Sequence, residues 1–209
     1  GCSQRVSGSE FGCGVRADGG AFCWGLGSLG QRGDGTAGYL AAPSPVAGDH
    51  TFTRITAAGD HACGVTASGV AYCWGWGMFG QLGYGLTANR SVPTQVTGGH
   101  SWVSLAAGGS FTCGITSTGA AWCWGGNSSG QLGNGQTASS SVPVPVAGGL
   151  SFASITAGTS HACGVSTSGE AYCWGWGADG RLGNGYPQSQ SSPVRVAAPA
   201  AGGFVTWRR

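Results

Sequence analysis

Eight cysteines are the residues whose type and spacing could do chemistry. They fall into four pairs, Cys13 with Cys23, Cys63 with Cys73, Cys113 with Cys123 and Cys163 with Cys173. Each pair is ten positions apart, and the pairs recur at a step of 50. Such sulfurs could ligate zinc, act as reactive thiols, or form disulfides. Structural zinc sites favour ligands about two to four residues apart on a tight turn, and they need four ligands. One pair supplies two, and no matched histidine pair accompanies it. A reactive thiol has no need of four copies. Disulfides remain, and with them an oxidising compartment: extracellular, cell-surface or periplasmic.

The elements that must position these sulfurs follow from the local pattern. "HACGVT" (61–66) and "VAYCWG" (70–75) flank "ASG". A three-residue hairpin loop ending in a left-handed glycine is a common turn. With Gly69 in that place, Thr66 faces Val70, Val65 faces Ala71, and Gly64 faces Tyr72. Cys63 then lies opposite Cys73 at a non-hydrogen-bonded pair, where antiparallel strands approach most closely. The same register joins the other three pairs. Closing a ring of about 11 residues limits the unfolded chain by at most about 2.8 kcal/mol per bridge. Alternation also sends Tyr72 and Trp74 to the face opposite Cys73, with Phe22 and Trp24, Trp122 and Trp124, and Tyr172 and Trp174 as equivalents. These rings are read as packing between sheets.

The step of 50 extends well beyond cysteine. Trp24, Trp74, Trp124 and Trp174 keep it, as do Gly30, Gly80, Gly130 and Gly180, and Pro43, Pro93, Pro143 and Pro193. Internal repetition of this length signals stacked units. The second unit offers strands at "TFTRITAAG" (51–59), 61–66, 70–75 and "PTQVTGG" (93–99). About four short strands in fifty residues match the blade of a β-propeller. The reading is an all-β chain of four such antiparallel blades in one repeat domain, 1–209. The units run approximately 2–51, 52–101, 102–151 and 152–201, with 202–209 starting a further strand. "CSQRV" (2–6) and "FVTWRR" (204–209) align with the same strand, so either the array continues into a larger ring or its end strands meet other chains.

Composition agrees. Glycine is the commonest residue, 44 of 209, and nine Trp, seven Phe and five Tyr offer apolar surface to bury. The formal net charge is +2, there is no lysine, and the nine arginines are scattered except for Arg208 and Arg209. Nucleic-acid binding favours a concentrated basic stripe; none is visible. No apolar run reaches the length of a membrane span.

The recurring sentence "AGDHACGVTASGVAYCWGWGMFGQLGYG…VPTQV" (58–96) resembles the repeat of the regulator of chromosome condensation family, in a secreted, disulfide-bearing form. "GQLG" stands at 80–83 and 130–133, with "GQRG" at 30–33 and "GRLG" at 180–183. The resemblance implies a β-propeller, usually of seven blades. The family often places Asn after Trp-Gly-x. Asn127 keeps it, while Gly27, Gly77 and Gly177 replace it, which reads as a preserved left-handed turn. The family histidine stands at His61 and His161, with Phe11 and Phe111 elsewhere, so it reads as structural.

Little in the sequence points to catalysis. The seven carboxylates form no repeated pair of the kind hydrolysis needs, no "GxSxG" elbow is present, and the glycine-rich stretches open no helix. The expectation is a non-enzymatic protein without cofactor or metal. The loop after "CWG" varies on a constant frame: 26–29, 76–79, 126–129 and 176–179. Variable tips on a rigid scaffold carry specificity. Trp76, Met78, Phe79, Trp176, Asp179 and Arg181 are therefore the protein-binding candidates; the alternative is that these rings fold back on a neighbouring blade. The partner is another protein or further copies of this chain, in an extracellular scaffold. A secreted inhibitor of a hydrolase is the alternative function, and the family's exchange-factor role toward a small GTPase fits less well with disulfides and no basic tail. Cys2 is left over by the register, to bond elsewhere or stay free. Asn89 and Asn127 begin Asn-x-Ser sequons that could carry glycan.

Overall fold

The computed structural model describes residues 2–198; the expected further strand at 202–209 lies outside them. Four antiparallel sheets follow one another along the chain, each with its strands in sequence order. Blade 1 holds β1 (Cys2–Ser7), β2 (Phe11–Arg16), β3 (Ala21–Leu26) and β4 (Tyr39–Pro45). Blade 2 holds β5 (Phe52–Ala58), β6 (His61–Thr66), β7 (Ala71–Gly75) and β8 (Arg90–Gln95). Blade 3 holds β9 (Trp102–Ala107), β10 (Phe111–Thr116), β11 (Ala121–Gly125) and β12 (Ser140–Pro145). Blade 4 holds β13 (Phe152–Ala157), β14 (His161–Ser166), β15 (Ala171–Gly175) and β16 (Gln190–Arg195). A single 3-10 turn, Ala178–Gly180, is the only helical piece among the described residues.

The central hairpin forms as its turn chemistry requires. The Gly69 N–H donates to Thr66 O and the Thr66 N–H to Val70 O, both at 3.0 Å. Gly69 has a φ of 78°, which a side chain would strain. Val65 then pairs with Ala71, Gly64 with Tyr72 and Cys63 with Cys73. Blades 1, 3 and 4 share this register.

The fourth strand differs from the expected 93–99. It begins at Arg90 and stops at Gln95. Beyond it the chain turns inward, where the Val96 N–H donates to Ala71 O at 2.9 Å and the Val96 side chain is buried. The register slips between the Cys73–Thr94 and Gly75–Arg90 pairs. Pro93 lies in that slip, where its missing N–H costs no ladder bond.

First strands pack in succession, β1 on β5, β5 on β9 and β9 on β13, so they line the inner side of the array. The core is not inside any sheet but between them. The disulfide face of blade 1 (Phe11, Cys13, Val15, Cys23, Val46) packs on Phe52, Ile55 and Trp74 of blade 2. Cys63, Val65, Cys73 and Leu82 pack likewise on Trp102 and Trp124 of blade 3. Phe111, Cys113, Ile115 and Cys123 pack on Phe152 and Trp174 of blade 4. Each of the first three disulfides is thus the floor on which the next blade's indole rests. The rings do pack between sheets: Trp74, Trp124 and Trp174 are all 0% exposed, while Trp24 is half-buried.

Candidate functional site

All four cysteine pairs are bonded, with Cα atoms 4.1 Å apart for Cys13–Cys23 and 4.0 Å apart for Cys63–Cys73, Cys113–Cys123 and Cys163–Cys173. That closeness is what a non-hydrogen-bonded antiparallel pair provides. Among the described residues no group of three His, Cys, Asp or Glu side chains is arranged to hold a metal.

A repeated joint fixes the loops above this floor. The Trp74 indole N–H donates to Gln31 O at 3.0 Å, Trp124 to Gln81 O at 2.8 Å and Trp174 to Gln131 O at 3.0 Å. The glycine two residues on lies flat against the ring; a Cβ on Gly83 would stand 2.7 Å from Trp124 Nε1. Each Gln side chain folds back to brace its own turn, as in the Phe79 N–H to Gln81 Oε1 bond of 2.9 Å. "Gly-Gln-Leu-Gly" is therefore the half of the joint that receives the neighbouring indole.

The joint of blades 2 and 3 also carries a buried polar relay. Thr112 Oγ1 donates to Gln81 O at 2.8 Å and lies 2.8 Å from His61 Nε2. The single hydroxyl hydrogen is spent on Gln81, so His61 Nε2 carries the proton and donates. His61 is fully buried, with Nδ1 unpaired, and burial lowers its pKa from 6.5 to about 4. It is neutral at physiological pH. Burial also lowers His161, with the nearby Arg181 charge adding to the effect.

Loop 27–38 of blade 1 solves the same problem differently. Arg32 occupies the place of Leu82, Leu132 and Leu182, which are each 0% exposed. It is 2% exposed, pairs with Asp34 at 2.9 Å, and reaches Gly38 O and the Thr36 hydroxyl. Burial pushes Asp34 up, but the bonds from Arg32, Thr36 and Ser44 outweigh it and hold the carboxyl at about 2.

The expected left-handed conformation at 27, 77, 127 and 177 is not adopted: among the described residues Asp179 is the one non-glycine residue with positive φ, and Gly177 has a φ of −107°. Glycine is needed there for close approach. A Cβ would stand 2.1 Å from Ala88 O at Gly77 and 1.9 Å from Gln188 O at Gly177. Asn127 meets the requirement with its amide, donating to Gln136 O and Ala138 O and accepting the Leu132 N–H. Asn127 is 0% exposed, so its sequon is not open to glycan. Asn89 is exposed, with Oδ1 accepting the Gly77 N–H at 3.0 Å.

The candidate binding residues form two tips. On blade 2, Trp76 is half-buried and meets Phe79 edge-on at 5.2 Å between ring centroids, while Met78 is 58% and Phe79 45% exposed. On blade 4, the Arg181 guanidinium sits 4.1 Å from the centroid of Trp176, which is 43% exposed. Arg181 also pairs with the exposed Asp179 at 3.2 Å. Met78, Phe79 and Trp176 are exposed, while Trp76 is half-buried. No ring contact joins the two tips, and the polar blade 3 tip, Asn127 to Ser129, lies between them in the blade order. Sequence reasoning passed over Tyr39 and Leu86, exposed by 73% and 59%. Each is a large apolar side chain in or beside a glycine-rich loop, which was the available signal.

Four-stranded blades set side by side, with buried disulfides as floors and indoles latched across each gap, define a β-propeller array. The profile of the Regulator of chromosome condensation (RCC1) repeat matches residues 68–115, 118–165 and 168–207. A second profile of that repeat matches 102–131 and 152–181. The chain belongs to the regulator of chromosome condensation repeat family. Among solved structures it is similar to human WBSCR16, at 25% identity and TM-score 0.87 over 95% of this chain and 53% of that one. It is similar in fold to Prp20p of Saccharomyces cerevisiae, at 22% identity and TM-score 0.84 over 96% and 51%. It also resembles the ectodomain of the Physcomitrella patens receptor kinase CR4, at 27% identity and TM-score 0.56 over 83% and 39%. The chain spans about half the length, or less, of these proteins. No curated protein sequence matches it.

Proposed function

We propose that residues 1–209 act as one repeat domain, a non-enzymatic protein-binding scaffold outside the cytoplasm, at the cell surface or in the periplasm. The observation that carries this reading is the pairing of a cross-linked frame with exposed apolar tips. Four disulfides hold the blades, and Met78, Phe79 and Trp176 stand out from them. Small-loop disulfides of this kind persist in oxidising compartments. Exposed Trp and Phe on rigid loops are the anchors that protein interfaces use. The likeness to a receptor-kinase ectodomain supports an external setting. The solved Prp20p structure, described with its binding properties to Gsp1p and histones, supports protein recognition by this fold. No helix among the described residues is long and apolar enough to cross a membrane.

Capture of secreted and surface proteins by immobilised chain tests the reading when wild type is compared with a Phe79→Ser/Trp176→Ala variant. The expected result is a partner retained by wild type and lost by the variant, at an unchanged melting temperature. Binding that ignores both tips overturns it. In parallel, the mass of unreduced, alkylated protein should show eight of the nine cysteines protected; fewer would remove the oxidising compartment.

A further inference from the structure

The two Asn-x-Ser sequons of this chain are treated in opposite ways by the fold. At Asn127 both ends of the amide are spent: Nδ2 donates to Gln136 O at 3.0 Å and Ala138 O at 2.9 Å, and Oδ1 accepts the Leu132 N–H at 2.9 Å. At Asn89 only the oxygen is used. Oδ1 accepts the Gly77 N–H at 3.0 Å, and a backbone donor on that side fixes which end of the amide is oxygen. Nδ2 has no hydrogen-bond partner among the described residues, on a side chain exposed to solvent. The frame asks for no more than one acceptor there. At the equivalent place in blade 4, Ser189 Oγ accepts the Gly177 N–H at 3.3 Å. The rest of the sequon is open as well. Asn89 immediately precedes β8, the last strand of blade 2, on the side of the blade away from β5. Arg90 packs over the Tyr84 ring, 4.5 Å from its centroid. Ser91 is exposed, and its backbone carbonyl, not its hydroxyl, takes the Gly35 N–H at 2.8 Å.

We propose that Asn89 is an N-glycosylation site and that Asn127 is not. The proposal rests on the export of the chain argued above, because such sequons are modified on exported chains. The sugar donor is an oligosaccharide linked to a polyprenyl diphosphate, delivered by a transferase of the export pathway. Asn89 Nδ2 attacks C1 of the first sugar. The new C1–N bond replaces the C1–O bond to the diphosphate, the lipid diphosphate leaves, and one Nδ2 proton passes to a base of the transferase. The product keeps one amide hydrogen and its carbonyl oxygen. Oδ1 therefore still accepts the Gly77 N–H, and loop 76–79 stays tied to the start of β8. The same transfer at Asn127 would leave one hydrogen for two carbonyls, and a buried acceptor that loses its donor is costly. It would also set a sugar on a side chain that is 0% exposed. A glycan at Asn127 and the folded blade exclude each other.

Secretion of the 209-residue chain from a eukaryotic host that glycosylates exported proteins tests the proposal. Peptide masses are read before and after enzymatic removal of N-glycans, which turns a glycosylated Asn into Asp. The expected result is a glycan on the peptide that carries Asn89 and an unmodified Asn127. Ser91→Ala destroys the sequon without touching the Asn89 side chain, so the glycan should vanish while the melting temperature matches that of deglycosylated wild type. Ser129→Ala, which destroys the other sequon, should leave the glycan mass unchanged. Cysteine protection is measured on the same secreted sample. Eight protected cysteines with a bare Asn89 overturn this proposal and leave the export reading standing. Free thiols at the paired positions sink the export reading, and this proposal with it. A glycan on Asn127 of the folded, secreted chain overturns the contrast drawn between the two amides.

Discussion

The joint between blades 2 and 3 and the joint between blades 1 and 2 hold equivalent indoles to equivalent carbonyls, yet one buries a polar relay and the other does not. Around Gln81 the structure buries His61, Thr112 and Trp124 in one hydrogen-bonded relay. Around Gln31 the equivalent positions are Phe11 and Ala62, and only the Trp74 N–H reaches the carbonyl. Both joints rest on a disulfide and both exclude water. A buried polar cluster is tolerable when satisfied and costly when half-satisfied. The difference shows that the latch needs the indole and the glycine turn, while the relay is an addition.

Acid should separate the two joints most. Burial lowers the folded-state pKa of His61 from 6.5 to about 4, so the unfolded chain binds the proton first as pH falls. Stability present above pH 6.5 is then lost down to about pH 4, by up to about 3 kcal/mol. Denaturant titrations at pH 7 and pH 4.5 should show this loss in wild type. They should show it largely gone in a His61→Phe/Thr112→Ala variant, which copies the joint of blades 1 and 2.

Next in size is the relay itself. Thr112→Ala alone leaves both His61 nitrogens buried and unpaired, at an expected cost of about 1–3 kcal/mol. Adding His61→Phe should recover most of it, so a double-mutant cycle at pH 7 should give clear coupling. The smallest effect concerns the indole N–H. Trp74→Phe strips Gln31 O of its side-chain donor, whereas after Trp124→Phe the carbonyl of Gln81 still accepts Thr112. The first substitution should cost more than the second by about 1 kcal/mol, measured as a difference in denaturation midpoint.

Much of this was legible because the repeat keeps its length. The 50-residue step, the Gly69 turn and period-two alternation carry the register of every hairpin, and with it each sulfur pairing. The fourth strand was less legible, since Pro93 was taken to begin it when it marks a slip inside it. The turn at 77 and 127 misled for a different reason. Asn and Gly share a tolerance for positive φ, but here they answer to a carbonyl crowding the position, which no local pattern reveals. The joints were invisible as well. Their partners lie 43 residues apart, in Gln31 and Trp74 or Gln81 and Trp124, and a backbone carbonyl leaves no mark on sequence. Arg32 in place of a buried Leu could be seen, but not its closure on Asp34 and Thr36.

The short span of each bridge bears on how the chain matures. Eight cysteines can pair in roughly 105 ways, and four near-identical hairpins would make most of the wrong choices look alike. Here every correct partner lies within the same turn of chain, ten positions away. A hairpin can bring its own two sulfurs together before any neighbour has been synthesised or docked. Oxidation then proceeds one blade at a time, and similarity between repeats stops being a source of scrambling.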